Sequence, residues 1–423
     1  MNQRIPTQKK NTVYLVLFLY WLILLIWQNL RSAANRDSTD MIIKSCLIVS
    51  LTAYFLMRSR TVNSTALFVF FAYLLINTAT KLTSSVFQFS DAMYYFFPLL
   101  LFLVTVGFGG NSTISKDELL KLFYMLTFTV LYIVAYSWIF QAEKYLQALS
   151  VKNAYGNELS SFLNSSHEFG YYLAFGIMAA IMCNDLDDHI NAARRTYLIV
   201  VIVLFSISLI LTYSRTAILM FAVMLLWYVF SSGQRKLKQI LLAVLFLLAV
   251  VVIVDKSLRE YFFEIVFKSN NDAGRDELTN SGLKIFMDAP IGNQLFGYNL
   301  NSIIRFVEQQ FGHRNFHNAY IQTLVCNGVV GIVFPIGCFI YEAVHIARTM
   351  RIAPNWKRLL KLFYSFEAAL MISMLFQTND LFASSIDSYF LTLFGFLIPI
   401  YVDNALREDV FVGDAVSEDA GKN

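Results

Sequence analysis

The sequence predicts an all-α protein, a polytopic transmembrane helical bundle of about 12 spans with one large, partly helical extracytoplasmic loop. Of the 423 residues, 57% are hydrophobic and only 15% are charged, whereas soluble domains carry about 25% charged residues. Apolar runs of about 20 residues, the length that crosses a bilayer as a helix, recur along the chain. Lys and Arg concentrate in alternate connections between these runs, as the positive-inside rule requires.

Twelve apolar segments account for most of the chain. Their approximate bounds are 13–30, 40–57, 64–80, 92–109, 118–140, 166–184, 197–214, 216–232, 239–254, 319–346, 358–377 and 387–403. The first run lacks a small-residue cleavage site, so we expect a retained span and not a signal peptide. With the N-terminus inside, the short cytoplasmic segments hold 17 Lys and Arg against six in the short external ones. Both termini are therefore predicted to be cytoplasmic, in a cytoplasmic (inner) membrane.

These bounds divide the chain into four parts. Spans 1–9 occupy residues 1–254, the large external loop 255–318, spans 10–12 residues 319–403, and an acidic cytoplasmic tail 404–423. The loop exceeds the length of about 12–15 residues that structureless connections usually reach. Its pattern after Arg275 is compatible with a helix that stops at Pro290. We therefore expect a structured cap over the membrane domain.

Charge and cysteine content exclude several kinds of partner. The net charge of +4 follows from the basic cytoplasmic segments, so it does not indicate nucleic-acid binding. The four cysteines form no CxxC pair, and neither a zinc site nor a disulfide framework is predicted. We expect membrane lipid around the chain and no cofactor.

Arg215 interrupts a long stretch that is otherwise uncharged. Residues 197–232 number 36 and would form a helix of about 54 Å, whereas the bilayer core is about 30 Å thick. The stretch therefore contains two spans. Both of its flanks are basic and predicted to be cytoplasmic, so Arg215 between the spans lies at the outer boundary, on the side of the large loop. An arginine there either extends to the lipid headgroups or faces a polar site.

Three short patterns surround this arginine and the loop. They are Leu211-Thr212-Tyr213-Ser214-Arg215-Thr216-Ala217; Gly274-Arg275-Asp276 with Ala289-Pro290-Ile291-Gly292 and Gly297-Tyr298; and His317-Asn318-Ala319-Tyr320-Ile321-Gln322 with Asn327-Gly328-Val329-Val330-Gly331. In order and spacing they resemble the O-antigen polymerase and O-antigen ligase superfamily (Wzy and WaaL type). The resemblance covers mainly residues 205–335, and a weaker match follows Asn164 in Asn-Ser-Ser-His-Glu-Phe-Gly.

The chain departs from the family pattern at two places. Thr279 and Asn280 stand where the family often has a Trp, and the usual G-x-G-x-x-x-F is reduced to Gly297-Tyr298-Asn299. The general chemistry implied by the resemblance does not depend on these positions. The assignment to a subfamily does depend on them, so both a polymerase and a ligase are possible.

The resemblance implies a metal-independent glycosyltransferase whose donor is an undecaprenyl-diphosphate-linked glycan. Arg215 and Arg275 are expected to bind the departing diphosphate, because guanidinium groups bind phosphate oxygens in pairs and stay charged. His317 is the expected catalytic base or acceptor-positioning group. Further substrate-binding residues are expected to be Asn318, Tyr213, Ser214, Arg314, His313 and Glu168.

The preferred prediction is a polymerase that joins lipid-linked repeat units into an O-antigen, capsule or exopolysaccharide. One alternative is a ligase that transfers the glycan to a lipid or other acceptor. Another is a transporter or flippase for the lipid-linked glycan, which would show inverted repeats and charges along a path. The polar groups concentrate instead at the outer face, which favours an enzyme. A flippase and a chain-length regulator would be its protein partners.

Overall fold

The computed structural model describes sixteen stretches of the chain. They are residues 13–30, 36–58, 62–82, 99–100, 102–108, 115–148, 158–163, 165–231, 238–239, 242, 275–298, 300–312, 315–352, 357–376, 399–400 and 402–405. Within these stretches every regular element is a helix, so the all-α prediction is confirmed for the part of the chain that is described.

Three helices and a π-helix form the N-terminal part. They are α1 (Val13–Leu30), α2 (Arg36–Arg58), α3 (Ser64–Leu82) and the π-helix Leu103–Phe108. Asn63 joins the last two, because its peptide N–H donates to the carbonyl oxygen of Gly107 at 2.7 Å. Its side-chain oxygen also accepts from the peptide N–H of Thr65 at 3.0 Å, which caps α3.

The central part of the bundle is formed by the next five helices. They are α4 (Lys116–Phe140), α5 (Ala142–Ala148), α6 (Ser166–Leu186), α7 (Ala192–Leu211) and α8 (Arg215–Ser231). Helix α6 contacts α4, α7 and α8 and is buried along most of its length. A Cβ on Gly176 would lie 2.7 Å from Val130 and 2.8 Å from Phe205. A small residue is therefore needed where α4 and α7 meet α6, as is common between membrane helices.

Part of the predicted loop forms a helical unit. It contains α9 (Arg275–Met287), α10 (Ile291–Phe296) and α11 (Leu300–Phe311). Helix α9 begins at Arg275 and ends before Pro290, as the sequence pattern predicts. This unit has its own apolar cluster, separate from the main core and shared with the segment around residues 316–326. The buried members are Leu278, Ile303, Val307, Phe316, Val325 and Cys326.

Two further helices complete the described bundle, α12 (Ala319–Ile352) and α13 (Lys357–Ser373). Helix α12 is kinked at Gly328, whose φ of 69° is not helical. Helix α13 packs against α8 and α12.

An ion pair joins the start of α4 to the turn between α6 and α7. Lys116 Nζ lies 2.5 Å from Asp188 Oδ2. This hydrogen bond, with the positive charge of Lys116, holds the pKa of Asp188 below its ordinary value. Tyr124 donates to Asp187 Oδ2 at 3.1 Å, so the neighbouring carboxylate also contacts α4.

Four helices of the described residues are long and apolar enough to cross a bilayer, namely α4, α6, α7 and α12. Shorter apolar stretches occur in α2, α3 and α8. These apolar helices indicate a membrane protein. The predicted span 239–254 lies almost wholly outside the described residues, as do most of 92–109 and 387–403. The number of twelve spans and the orientation of the termini stay predictions.

Candidate functional site

Two ring contacts fix the relative heights of α6, α8 and α13. Trp227 of α8 packs on Tyr364 with ring centroids 5.3 Å apart. Phe175 of α6 packs on Phe366 at 5.1 Å. The distance from these contacts back to the first residues of α6 and α8 is about the same as the distance forward to the last residue of α13. The starts of α6 and α8 therefore lie level with the end of α13.

Helix α12 begins at the same level. The peptide N–H of Ala319 donates to the carbonyl oxygen of Met374 at 2.8 Å, and Tyr320 Oη donates to that of Met371 at 2.9 Å. The first turns of α6, α8 and α12 therefore gather at one end of the bundle. We call this end, with the turns that precede those helices, the motif end.

The turn between α7 and α8 is held by the polar residues of its own motif. Thr212 Oγ1 donates to the carbonyl oxygen of Leu209 at 2.7 Å and accepts from the peptide N–H of Ser214 at 3.2 Å. Tyr213 adopts a left-handed conformation with a φ of 52°. Ser214 Oγ accepts a peptide N–H from the first turn of α8 at 3.3 Å. Together these contacts present Arg215 as the first residue of α8.

His167 joins α6 to this turn. Its Nδ1 lies 2.8 Å from Ser214 Oγ. Because Ser214 Oγ already accepts a peptide N–H, its own proton can be directed to the imidazole. Gly170 permits the contact, since a Cβ there would lie only 2.5 Å from the Cβ of Ala217. The starts of α6 and α8 are therefore in direct contact.

Residues 158–163 extend the motif end towards α4. The peptide N–H of Leu159 donates to the carbonyl oxygen of Leu211 at 3.4 Å. Ser161 Oγ donates to the carbonyl oxygen of Ile133 at 3.0 Å, and Gln141 Nε2 donates to that of Ser161 at 2.8 Å. These bonds attach the segment before α6 to both α4 and α7.

The turn before α12 fixes the main chain of His317. Its peptide N–H donates to Asn315 Oδ1 at 3.1 Å. Asn318 Oδ1 accepts a peptide N–H from the first turn of α12 at 3.1 Å, which is the N-cap role. The peptide N–H of Phe316 donates to Gln322 Oε1 at 3.3 Å. The imidazole is half-buried, and its backbone is held on both sides.

Backbone strain concentrates at the motif end. Among the described residues, three non-glycine residues have a positive φ: Ser161 at 54°, Tyr213 at 52° and His317 at 51°. All three lie in turns of the motif end. A left-handed conformation costs such a residue about 1–2 kcal/mol. Strain of this kind is typical of functional sites, where the surrounding structure maintains it.

The second and third motifs interlock through their glycines. A Cβ on Gly297 would lie 2.2 Å from the backbone of α12, and one on Gly328 would lie 2.3 Å from the backbone of Leu295. The peptide N–H of Tyr298 also donates to the carbonyl oxygen of Val325 at 2.8 Å. Helix α10 is thus seated in the kink of α12, main chain against main chain. This contact places the helical unit beside the motif end.

The motif end is suited to bind an anion. Three helix N-termini lie there, capped by Ser165, Ser214 and Asn318. Each N-terminus carries a partial positive charge. Arg215, half-buried in the first turn of α8, adds a full one.

Most of the predicted site residues lie at the motif end. They are Arg215, Tyr213, Ser214, His317, Asn318 and Glu168. Tyr213 and Ser214 are buried, and the contacts described above are made with protein groups that hold the turn. Arg275 is the first residue of α9, and its side chain lies outside the described residues, as do His313 and Arg314 entirely.

Sequence reasoning did not select three residues that organise this end. His167 was overlooked although it precedes Glu168 in the weaker motif. Thr212 and Gln322 lie within the first and third motifs. Their side chains bind main-chain groups, which the sequence pattern does not indicate. A polar residue directly at a helix start is the signal that could have identified His167.

A comparison with protein families gives a match to the part of the chain that forms this end. A family model described as O-antigen ligase matches residues 200–336. This segment is therefore similar to the O-antigen ligase and polymerase superfamily over about a third of the chain. Members of the superfamily are enzymes that transfer glycans, and the match includes both the Arg215 and the His317 motifs. No curated protein matches the chain significantly.

Proposed function

We propose that the chain is a membrane glycosyltransferase that polymerises undecaprenyl-diphosphate-linked repeat units into a surface polysaccharide. The observation that supports the proposal is the location of Arg215, His317 and three helix N-termini at one end of the bundle. The proposed site faces the outside of the cytoplasmic membrane, where the large loop is predicted to lie. Flippase and chain-length regulator proteins would supply the substrate and limit the product.

The leaving group explains the positive end of the bundle. In the transfer, a sugar hydroxyl oxygen attacks the anomeric carbon of the donor, and the bond from that carbon to the phosphate oxygen breaks. The bonding pair leaves with the lipid diphosphate. Arg215, Arg275 and the helix N-termini would stabilise the charge that develops on it.

His317 would take the proton that the attacking hydroxyl loses. Histidine side chains in general can accept a proton near neutral pH. Asn318 uses its side-chain oxygen to cap α12, so a contact with sugar would be made by its NH₂ group. The rigid turn before α12 would orient both side chains towards one acceptor.

A ligase is the second candidate, and the matching family is equally consistent with it. The bond changes would be the same, but the acceptor would be a lipid or another molecule in place of a second lipid-linked glycan. Polymerase is preferred because the second motif departs from the family pattern at Thr279, Asn280 and Asn299.

Replacement of Arg215, Arg275 and His317 singly by Ala, followed by gel analysis of the surface glycan, tests the proposal. We expect each variant to lose high-mass polymer at normal protein levels. Arg305→Ala and His189→Ala are matched controls, because both side chains are exposed and neither belongs to the proposed site. Accumulated single repeat units would identify a polymerase, and accumulated long lipid-linked chains a ligase. A full ladder in all three variants would end the catalytic assignment.

A further inference from the structure

A second polar feature lies far from the motif end. A cavity of about 640 Å³ is lined by α3, the π-helix, residues 333–345 of α12 and the helical residues 402–405. Its size is in the range of ligand pockets, about 300–1,000 Å³. By the predicted topology, all four of these segments approach the cytoplasmic face there.

The cavity is apolar over most of its length. The apolar wall includes Ala66, Val69, Phe102, Val106 and Phe334. Phe68, Val333 and Tyr341 also line it and are 69%, 60% and 51% exposed. Because these exposed side chains lie on helices predicted to cross the membrane, the cavity opens sideways towards lipid between α3 and α12.

One end of the cavity is polar and acidic. Glu342 and Asp403 lie there with His345, Asn63 and Asn404, and no Lys or Arg is among the described residues that line the cavity. The side chains can supply two negative charges, one imidazole and two amides.

Among the carboxyl groups that line the cavity, Glu342 is the buried one. It is 3% exposed, and its Oε2 has no hydrogen-bond partner among the described residues. A buried carboxyl group is tolerated only when it is protonated or is paired with a cation. A cation that enters the cavity would provide that pairing.

We infer that this cavity binds a membrane lipid with an ammonium headgroup, an aminophospholipid. Its ammonium group would pair with Glu342 and Asp403, while His345 and the amides of Asn63 and Asn404 would donate to the phosphodiester. One acyl chain would lie between α3 and α12. The inference does not depend on the proposed function, because it concerns the opposite end of the bundle.

Photocrosslinking tests the inference with the purified full chain in phosphatidylglycerol nanodiscs. The probe is phosphatidylethanolamine that carries a diazirine on its acyl chain, and mass spectrometry locates the labelled residues. We expect labelling of the cavity wall, with competition by unlabelled phosphatidylethanolamine. Competition of equal strength by extra phosphatidylglycerol or by soluble glycerophosphoethanolamine would overturn the aminophospholipid assignment.

Two pairs of variants locate the site. Glu342→Gln should reduce labelling about tenfold through loss of a charge-assisted bond, whereas Asp187→Asn, buried between α6 and α7 and outside the cavity lining, should not. Gly337 lines the cavity and has open space around it, so Gly337→Phe should block labelling. Ile340→Phe, exposed on the same helix, is its control. Wild-type labelling in both Glu342→Gln and Gly337→Phe would disprove the site.

Discussion

Single residues at the motif end act mainly through the main chain. Thr212, Ser214 and Gln322 bond to peptide groups of the turns that carry Arg215 and His317. Such bonds define the position of these two candidate side chains. A displacement of about 1 Å in an active site can reduce a rate a hundredfold. These neighbouring residues are therefore as important for the geometry of the site as Arg215 and His317 themselves.

The contact of His167 with Ser214 gives a prediction at this scale. We expect His167→Ala and Ser214→Ala each to lower the rate of polymer formation in isolated membranes by about tenfold or more, because Arg215 loses its support. The double variant should be no slower than the slower single variant, since both remove the same bond. Effects that multiply in the double variant would show that the two side chains act separately.

The sequence could predict Arg215 and His317 but not the contact between His167 and Ser214. An arginine in an uncharged stretch is conspicuous, and His317 lies in a motif. The pairing of His167 with Ser214 depends on how α6 and α8 pack, which requires Gly170 opposite Ala217. Residues 47 positions apart give no periodic signal of their proximity.

At the scale of elements, two glycines in α6 give a matched pair of variants. A Cβ on Gly170 would lie 2.5 Å from Ala217, and one on Gly176 would lie 2.7 Å from Val130. We expect Gly170→Ala and Gly176→Ala to lower the melting temperature similarly. Only Gly170→Ala moves α6 away from Ser214, so we expect it alone to reduce polymer formation at least about tenfold. Equal activity of the two variants would contradict the role given to this contact.

The contact between α10 and α12 gives a prediction of stability. Gly328→Ala places a Cβ 2.3 Å from the backbone of Leu295 at a φ of 69°, so we expect a loss of about 2 kcal/mol or more. Gly292→Ala is the control, because nothing lies within 4 Å of its Cβ. Thermal unfolding in detergent should show a fall of about 2 °C or more for the first variant alone. Equal melting temperatures would mean that α10 is not seated on α12.

Helix bounds were predicted well where apolar runs coincide with helices. The predicted span 166–184 is close to Ser166–Leu186. The span 197–214 was misplaced at both ends, because α7 starts at Ala192 and stops at Leu211. Asn191 caps the helix before its basic first turn, through a bond to the peptide N–H of Arg194 at 2.8 Å. Hydropathy identifies only the apolar stretch of the helix, so it does not locate the polar N-cap residue that precedes it.

For the whole molecule, the order of motifs along the chain predicted a shared site, and the structure brings two of the three motifs to one end of the bundle. The helical unit α9–α11 connects the second motif to this end through Gly297 and Gly328. The separate apolar cluster of that unit and the cavity beside Glu342 could not be predicted, because both depend on contacts between segments distant in sequence.

The most direct test of the account is the turnover of purified protein in nanodiscs with a lipid-diphosphate-linked repeat unit, measured as release of lipid diphosphate together with growth of the glycan. The decisive variant is His317→Asn, because Asn adopts the left-handed conformation of this position readily and removes only the imidazole. We predict that wild-type protein turns over and that His317→Asn is slower by about 10²–10⁴-fold, the contribution of a general base. Turnover of His317→Asn within a few-fold of the wild-type rate would contradict the catalytic role of the motif end.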